Sequence, residues 1–355
     1  MEPVAILYQH APPPIVSGIS KPMKPGGYSD SGADIGYCLH HRAIPLRVPR
    51  IHPRMEVDLD WVFPDSVEGI EQAYQAGARI FWLNTVLYAS HPITQFFDRD
   101  IQIVGQSPSL VDRYDDKLVA NAFLQSQGLP VPPFAKFQLA QVEQAADSIP
   151  AFPVVLKPIR GRGSQGVSLI QDRAAFLANA QKLTEAGTYG DAAYWEPFLP
   201  GKELTLTVMP PDRFNMGRLK GWKSTYWSLP PVARINHSAG IAPYNGTVAV
   251  VQNSAVISPD EIQQPAVQTL MRQCERAAQL IGAQAPIRID CRADSEGNYQ
   301  LFDVNLKPNM TGASRPHRRE QDSLTMIATR VLGWDYGDLL ERMLNLRWRP
   351  SDHRE

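Results

Sequence analysis

The sequence predicts an α/β protein with an open, mostly parallel sheet at its N-terminal end. Three observations carry this. Short apolar runs alternate with helical patterns over the first hundred residues, the signature of parallel strands joined by crossovers. A strand–glycine loop–strand pattern follows in the middle of the chain. Two strand patterns near the end are separated by DSEGN, a turn signal that predicts a hairpin. At roughly 150 residues per domain, 355 residues suggest two to three domains.

Residues 4–8 (VAILY) read as a buried strand, and 33–41 as a short helix. Residues 46–48 and 61–63 read as further strands, 67–76 as a helix stopped by Gly77, and 79–83 and 101–104 as the last strands of this series. The clearest helix covers 112–128, with Leu118, Val119, Ala122 and Phe123 at helical spacing, Asp115 and Asp116 in its first turn and Gly128 at its end. Residues 154–156 and 167–170 read as strands around a glycine-rich loop, 174–183 as a helix and 204–209 as a β-branched strand. Residues 210–247, rich in Pro, Gly, Trp, Tyr and Asn, read as one long irregular loop. Pro265 opens a helix to Ile281, 287–291 and 299–304 form the hairpin, and a final helix covers 321–332.

Lysine plus arginine number 35 and aspartate plus glutamate 36, a formal charge of −1. This balance argues against a strong nucleic-acid binder. Three cysteines without metal-ligand spacing fit a reducing compartment. The opening MEPVAILYQHAPPP lacks a basic secretory n-region, and no run approaches the ~18 apolar residues of a membrane span. The expectation is a cytoplasmic protein with neither a nucleic-acid nor a membrane partner. Its 31 prolines exceed the roughly 18 of average usage, but they are scattered. They read as punctuation of short elements, not as a low-complexity tract.

Two stretches carry chemistry. In VVLKPIRGRGSQGVSLI, residues 154–170, Gly161, Gly163 and Gly166 make a G-x-G-x-x-G flanked by strands on both sides. A dinucleotide fold would need a helix after it, and a P-loop would need G-K-[ST]. Two readings stay open: an ordinary glycine hairpin, or a loop folding over phosphates through backbone N–H groups, with Arg160, Arg162 and Ser164 as added donors. In IRIDCRADSEGNYQLFDVNLKPNMTG, residues 287–312, Asp303 and Asn305 share one strand face and Asp290 can face them across the hairpin. Three hard oxygen donors on one sheet face suit Mg²⁺, which keeps waters and takes substrate phosphates.

Together with IVGQSPSLVDRYDDKLVANAFLQSQGLPVPP and EPFLPGKELTLTV, these stretches resemble the ATP-grasp superfamily, most closely its D-alanine–D-alanine ligase type, from about Ile103 to Thr325. The resemblance implies an N-terminal α/β domain (1–106), a central subdomain (107–196) and a C-terminal subdomain (197–355), with ATP between the last two. It implies that Lys117 and Lys157 bind phosphates, and that Gly163, Ser164 and Gly166 belong to the closing loop. Glu196, Pro197, Phe198 and Leu199 would form the adenine-reading hinge, and Glu203 would bind ribose. Asp290, Asp303 and Asn305 would hold two Mg²⁺, with Mn²⁺ as a substitute. Arg288 would steady the developing oxyanion, and Ser314 would bind the second substrate's carboxylate. Arg315 follows at once and reads equally as a carboxylate clamp or as the start of a solvated helix. Arg318 and Arg319 read as solvated.

The implied activity is ATP-dependent joining of a small-molecule carboxylate to an amine through an acyl phosphate, with release of ADP and phosphate. The resemblance further suggests a homodimer. A nucleotide-binding regulator without catalysis, or another ATP-grasp ligation, are the alternatives. Several departures point away from D-alanine as substrate. The family's N-terminal GG-x-S-x-E is replaced by SGISKPMKPGGYSDSG, Asn309 stands where the family has glycine, and the loop 210–247 is not the family's usual lid sequence. Separately, aspartate stands at 303 where the family usually has glutamate, which shortens the reach by one methylene. Lys21 and Lys24, in that N-terminal segment, read either as contacts to the first substrate or as exposed loop lysines. Lys223, Arg234, His237, Trp222, Tyr226 and Trp227, in the long loop, read either as lid contacts to substrate or as loop packing.

Overall fold

The computed structural model describes residues 1–161, 163–214, 221–237, 240–242 and 250–353; Arg162 lies outside them. Three sheets of four or more strands follow one another along the chain. The first takes strands β1 (Val4–Tyr8), β2 (Phe63–Pro64), β3 (Ile80–Asn84) and β4 (Gln102–Val104), all parallel, in the order β2-β1-β3-β4. The strands β1 and β3 are buried on both faces, which explains their unbroken apolar sequence. Helices α1 (Ser29–His41) and α2 (Val67–Gln75) are crossovers of this layer. The expected strand at 46–48 is reduced to a single parallel bridge between Leu46 and Val4.

The second sheet is antiparallel: β5 (Ala135–Gln138), β6 (Val154–Pro158), β7 (Ser168–Ile170) and β8 (Ala192–Pro197), in the order β5-β8-β6-β7. The helix expected over 112–128 is two helices, α3 (Pro108–Tyr114) and α4 (Lys117–Ser126). Asp116 breaks the run. It is extended (φ −77°, ψ 110°), and its carboxylate accepts from the backbone N–H groups of Leu118 and Val119. An aspartate offers this cap as an alternative to continuing the helix. Lys117 therefore occupies the first residue of α4. The helices α5 (Val142–Asp147) and α6 (Arg173–Ala186) pack on this second sheet and on each other.

The third sheet is built around β9 (Glu203–Met209). Residues 210–247 are not irregular throughout, as the sequence suggested. There β10 (Asp212–Phe214) and β11 (Gly221–Lys223) pair as a two-stranded ribbon, while β12 (Trp227–Ser228) and β13 (Val232–Arg234) both pair with β9. Strands of two or three residues are too short to show a period. Sheet pairing, not local pattern, defines them. β14 (Ser254–Val256), β15 (Ile287–Ala293) and β16 (Tyr299–Asn305) complete the order β14-β13-β9-β15-β16.

After α7 (Pro259–Ile262), the helix α8 (Pro265–Ile281) covers one face of this sheet. Its Leu270, Cys274 and Ala277 share an apolar core with Leu204, Leu206 and Val208 of β9 and Ile287, Ile289 and Cys291 of β15. Period-two alternation then turns the intervening polar residues of β9 and β15 to the opposite face. The helix expected over 321–332 is α9 (Leu324–Val331), and it is followed by α10 (Tyr336–Asn345), which the sequence reading did not anticipate. A reciprocal capping box between Asp335 and Asp338 starts α10. Among the described residues, no helix is long and apolar enough to cross a membrane.

Candidate active site

The polar face of the third sheet is ordered by strand register. Thr205 stands opposite Asp290, which stands opposite Asp303. One step along, Thr207 stands opposite Arg288, which stands opposite Asn305. One step the other way, Glu203 stands opposite Arg292. This face and the second sheet enclose a cavity of about 680 Å³. It is lined by Lys117, Lys157, Gly163, Ser164, residues 196–199 and Glu203, together with Arg288, Asp290, Asp303 and Asn305.

Ion pairs fill the cavity floor. Lys157 on β6 donates to Glu196 Oε1 on β8, both nearly fully buried, and its ammonium lies 4.7 Å from the centre of the Phe302 ring. Burial raises the Glu196 carboxyl, and the neighbouring Lys157 offsets only part of that rise. Lys117 reaches across to Asp303. Burial alone would raise Asp303, but Lys117, then Lys157 and Arg288, hold it below the ordinary carboxylate range. Burial works against the Lys117 ammonium, and the Asp303 carboxylate more than reverses it. Asp290 accepts from Thr205 Oγ1 at 2.6 Å and from Arg288 Nε at 3.2 Å.

Glycine and lid segments meet over this floor. Gly163 (φ +58°), Ser164 (φ +58°) and Gly166 (φ +73°) are all left-handed. A Cβ on Gly166 would lie 2.9 Å from the Tyr189 ring, so only glycine fits. Ser164 Oγ donates to the Ala242 carbonyl at 3.3 Å. Gly166 shapes the loop from below without lining the cavity.

Three further residues join the set: Arg292 and Thr205, which the sequence reading did not single out, and His237, which it read either as a lid contact to substrate or as loop packing. Arg292 lies 3.6 Å from Glu203, donates to the Gly201 and Gly240 carbonyls and stacks 4.6 Å over the hinge Phe198 ring. His237 Nε2 lies 2.8 Å from Glu203 Oε2. Thr205 supports Asp290. Arg292 and Thr205 were legible in principle, because each shares a strand face with an assigned acid. His237 was named only as one of several loop candidates, and its partner is Glu203.

Ser314 and Arg315 lie elsewhere. Neither lines the cavity. Arg315 is fully buried; its Nε donates to Asp34 at 2.8 Å, and its remaining nitrogens reach Asp58, the Met55 carbonyl and the Asp30 carbonyl. Ser314 Oγ donates to the Asp34 carbonyl at 3.0 Å. The proposed carboxylate clamp is therefore corrected to a tie between the C-terminal segment and α1. Four of its five guanidinium N–H donors are engaged inside the fold, and the side chain is fully buried away from the cavity. Arg318 also turns inward, to Asp34 and Asp30, not into solvent.

The donor set fits a divalent cation that relies on its substrate. Among the described residues no three His, Cys, Asp or Glu side chains gather as a metal centre. Two register-paired carboxylates and the Asn305 amide oxygen give a partial shell of hard oxygens, the type Mg²⁺ completes with phosphates and waters.

Residues 123–345 match the family model described as D-ala D-ala ligase C-terminus. The chain belongs to this family. A D-alanine--D-alanine ligase of Synechococcus sp. (strain JA-3-3Ab) is 26% identical over 231 residues, covering 64% of this chain and 63% of that enzyme. The solved D-alanine--D-alanine ligase of Bacillus anthracis, complexed with ATP, superposes with a TM-score of 0.63 at 15% identity, covering 98% of this chain and 97% of the other. The VanG D-Ala:D-Ser ligase of Enterococcus faecalis gives 0.65 at 14% identity, covering 97% and 99%. The fold of this family member is thus the ATP-grasp fold across nearly the whole chain.

Proposed function

We propose that this protein is an ATP-dependent carboxylate–amine ligase. The observation that carries the reading is the joint placement of Lys117, Lys157, Arg288, Asp290 and Asp303 around one cavity, opposite the hinge 196–199 and the glycine loop. A substrate carboxylate oxygen attacks the γ-phosphorus of ATP, the bond to the β–γ bridging oxygen breaks, and ADP leaves. An amine then attacks the acyl carbon, loses a proton, and expels phosphate. Carboxylates do not condense with amines at neutral pH, so the phosphoryl group supplies the leaving group.

Mg²⁺, held by Asp290, Asp303 and Asn305, would supply neutralising charge to the phosphates. Binding of a magnesium nucleotide would divide the Lys117–Asp303 pair, the carboxylate turning to the cation and the ammonium to phosphate. Lys157 would likewise turn from Glu196 to phosphate. Glu203, steadied by Arg292 and His237, offers an acceptor for ribose hydroxyls. Arg288 adds fixed positive charge where the oxyanion develops, worth most in a site that excludes water.

The substrates we favour are amino-acid-like and other than D-alanine. Support comes from the replaced N-terminal signature and from the internal engagement of Ser314 and Arg315. The test is ADP release with pooled amino acids, followed by mass detection of the product. Stimulation by particular amino acids supports ligation. ATP binding without turnover supports a nucleotide-binding regulator.

A further inference from the structure

The cavity extends beyond the nucleotide set to a second group of cations. Lys24 and Lys307 both line it, and both ammoniums lie over the same ring, that of Tyr28, at 5.2 and 3.8 Å from its centre. They come from opposite ends of the chain. Lys307 follows the metal strand directly, its backbone N–H donating to Asn305 Oδ1 at 3.0 Å. Lys24 lies in the segment that stands in place of the family's N-terminal signature.

That segment is pinned on both sides. Ser20 N–H donates to the Thr188 carbonyl and Ile19 bridges Tyr189, which ties it to the central subdomain. At its other end the Gly27 N–H donates to the Lys24 carbonyl, and the Gly27 carbonyl accepts from Gln9 at the end of β1. Gly27 is left-handed (φ +56°), and a Cβ there would meet the Gln9 carbonyl oxygen at 1.8 Å, so no other residue fits this turn. The lysine is thus held at the cavity by backbone on either side.

Two ammoniums gathered over one ring repel each other, and the aromatic face offsets only part of that. Asp30 pairs with Lys24 at 3.0 Å and with Arg318 at 3.2 Å, so one carboxylate serves two cations. A ligand anion completes such an arrangement.

We propose that Lys24, Lys307 and Tyr28 form an anion subsite for a carboxylate other than the one that is phosphorylated. That carboxylate is either a second acid group on the acyl donor or the carboxylate of an amino-acid acceptor. The assignment rests on the ligase reading for the words donor and acceptor, but binding at the subsite does not require turnover.

The test uses the full chain saturated with a non-hydrolysable ATP analogue and Mg²⁺, titrated calorimetrically. Succinate against succinamate removes one carboxylate from a donor-like probe; alanine against alaninamide does so for an acceptor-like probe. At least a tenfold preference for the acid in one pair is expected, and that pair names the source. K24M and K307M should each erase the preference and K307R should keep it, with analogue affinity measured in the same titrations to show that each variant is folded. Equal affinity within both pairs, or a preference that survives in the K24M/K307M double variant, overturns the subsite. Preferential acid binding without ADP release on adding ATP and amines would leave the subsite standing and remove the ligase reading.

Discussion

The Asp34 carboxylate, on α1, accepts from Arg315 Nε at 2.8 Å, and both side chains are completely buried. The same carboxylate takes Thr311 Oγ1 at 2.7 Å and Arg318 Nε at 2.9 Å. One acid therefore fixes the segment that follows β16 against the N-terminal layer. Removing one partner of a buried pair leaves an uncompensated charge, which costs about 3–5 kcal/mol. Asp34→Ala should lower the urea-unfolding free energy by that amount. A loss under about 1 kcal/mol, the range of an exposed pair, would show that the tie is dispensable.

Arg288 borders the metal residues and contacts Asp290. Arg288→Ala should retain nucleotide binding and lose ligation, by roughly the 10²–10³-fold in kcat seen when one preorganised oxyanion donor is removed. Equilibrium binding of an ATP analogue beside steady-state ADP release measures both. Wild-type turnover in the variant would take Arg288 out of the mechanism.

Asp303→Ala should abolish Mg²⁺-dependent ADP release. Asp303→Glu restores the residue usual in the family and should retain part of it. Unchanged release in the alanine variant would remove Asp303 from the metal set.

The base of the lid segment carries a pH signature. Burial pushes the Asp212 carboxyl from 3.8 up to about 6, with Arg342 pulling against it. Between those values the folded protein holds a proton that the unfolded chain has lost. This group's contribution to stability therefore falls as pH rises through that window and recovers below it. In Asp212→Asn this fall disappears, so unfolding free energy measured from pH 4 to 6.5 should rise more steeply with pH than in the wild type. Equal slopes would contradict the raised value.

Period-two alternation made the β15–β16 hairpin legible: Asp290, Asp303 and Asn305 could be placed on one face from their spacing. The apolar cover was legible too, since α8 runs between the expected Pro265 and Ile281. Less visible were contacts that join distant segments. Nothing local marks Asp34 as the partner of Arg315, 281 residues away. Arg315 read equally as a carboxylate clamp or as the start of a solvated helix, while the fold uses it as a buried tie. The break at Asp116 was hidden because an acid in a first turn and an acid at a cap look alike in sequence. The short strands β12 and β13 are defined by pairing, β12 with β9 and β13 with both β9 and β14.

The most direct test of the central claim is the fate of the carboxylate oxygen. Amino acids labelled with ¹⁸O in their carboxyl groups are incubated with ATP, Mg²⁺ and the protein, and the released phosphate is analysed by mass spectrometry. Activation through an acyl phosphate transfers one labelled oxygen to each phosphate, in step with ADP and amide product. Unlabelled phosphate, or ATP bound with no ADP released above spontaneous hydrolysis, would contradict the account.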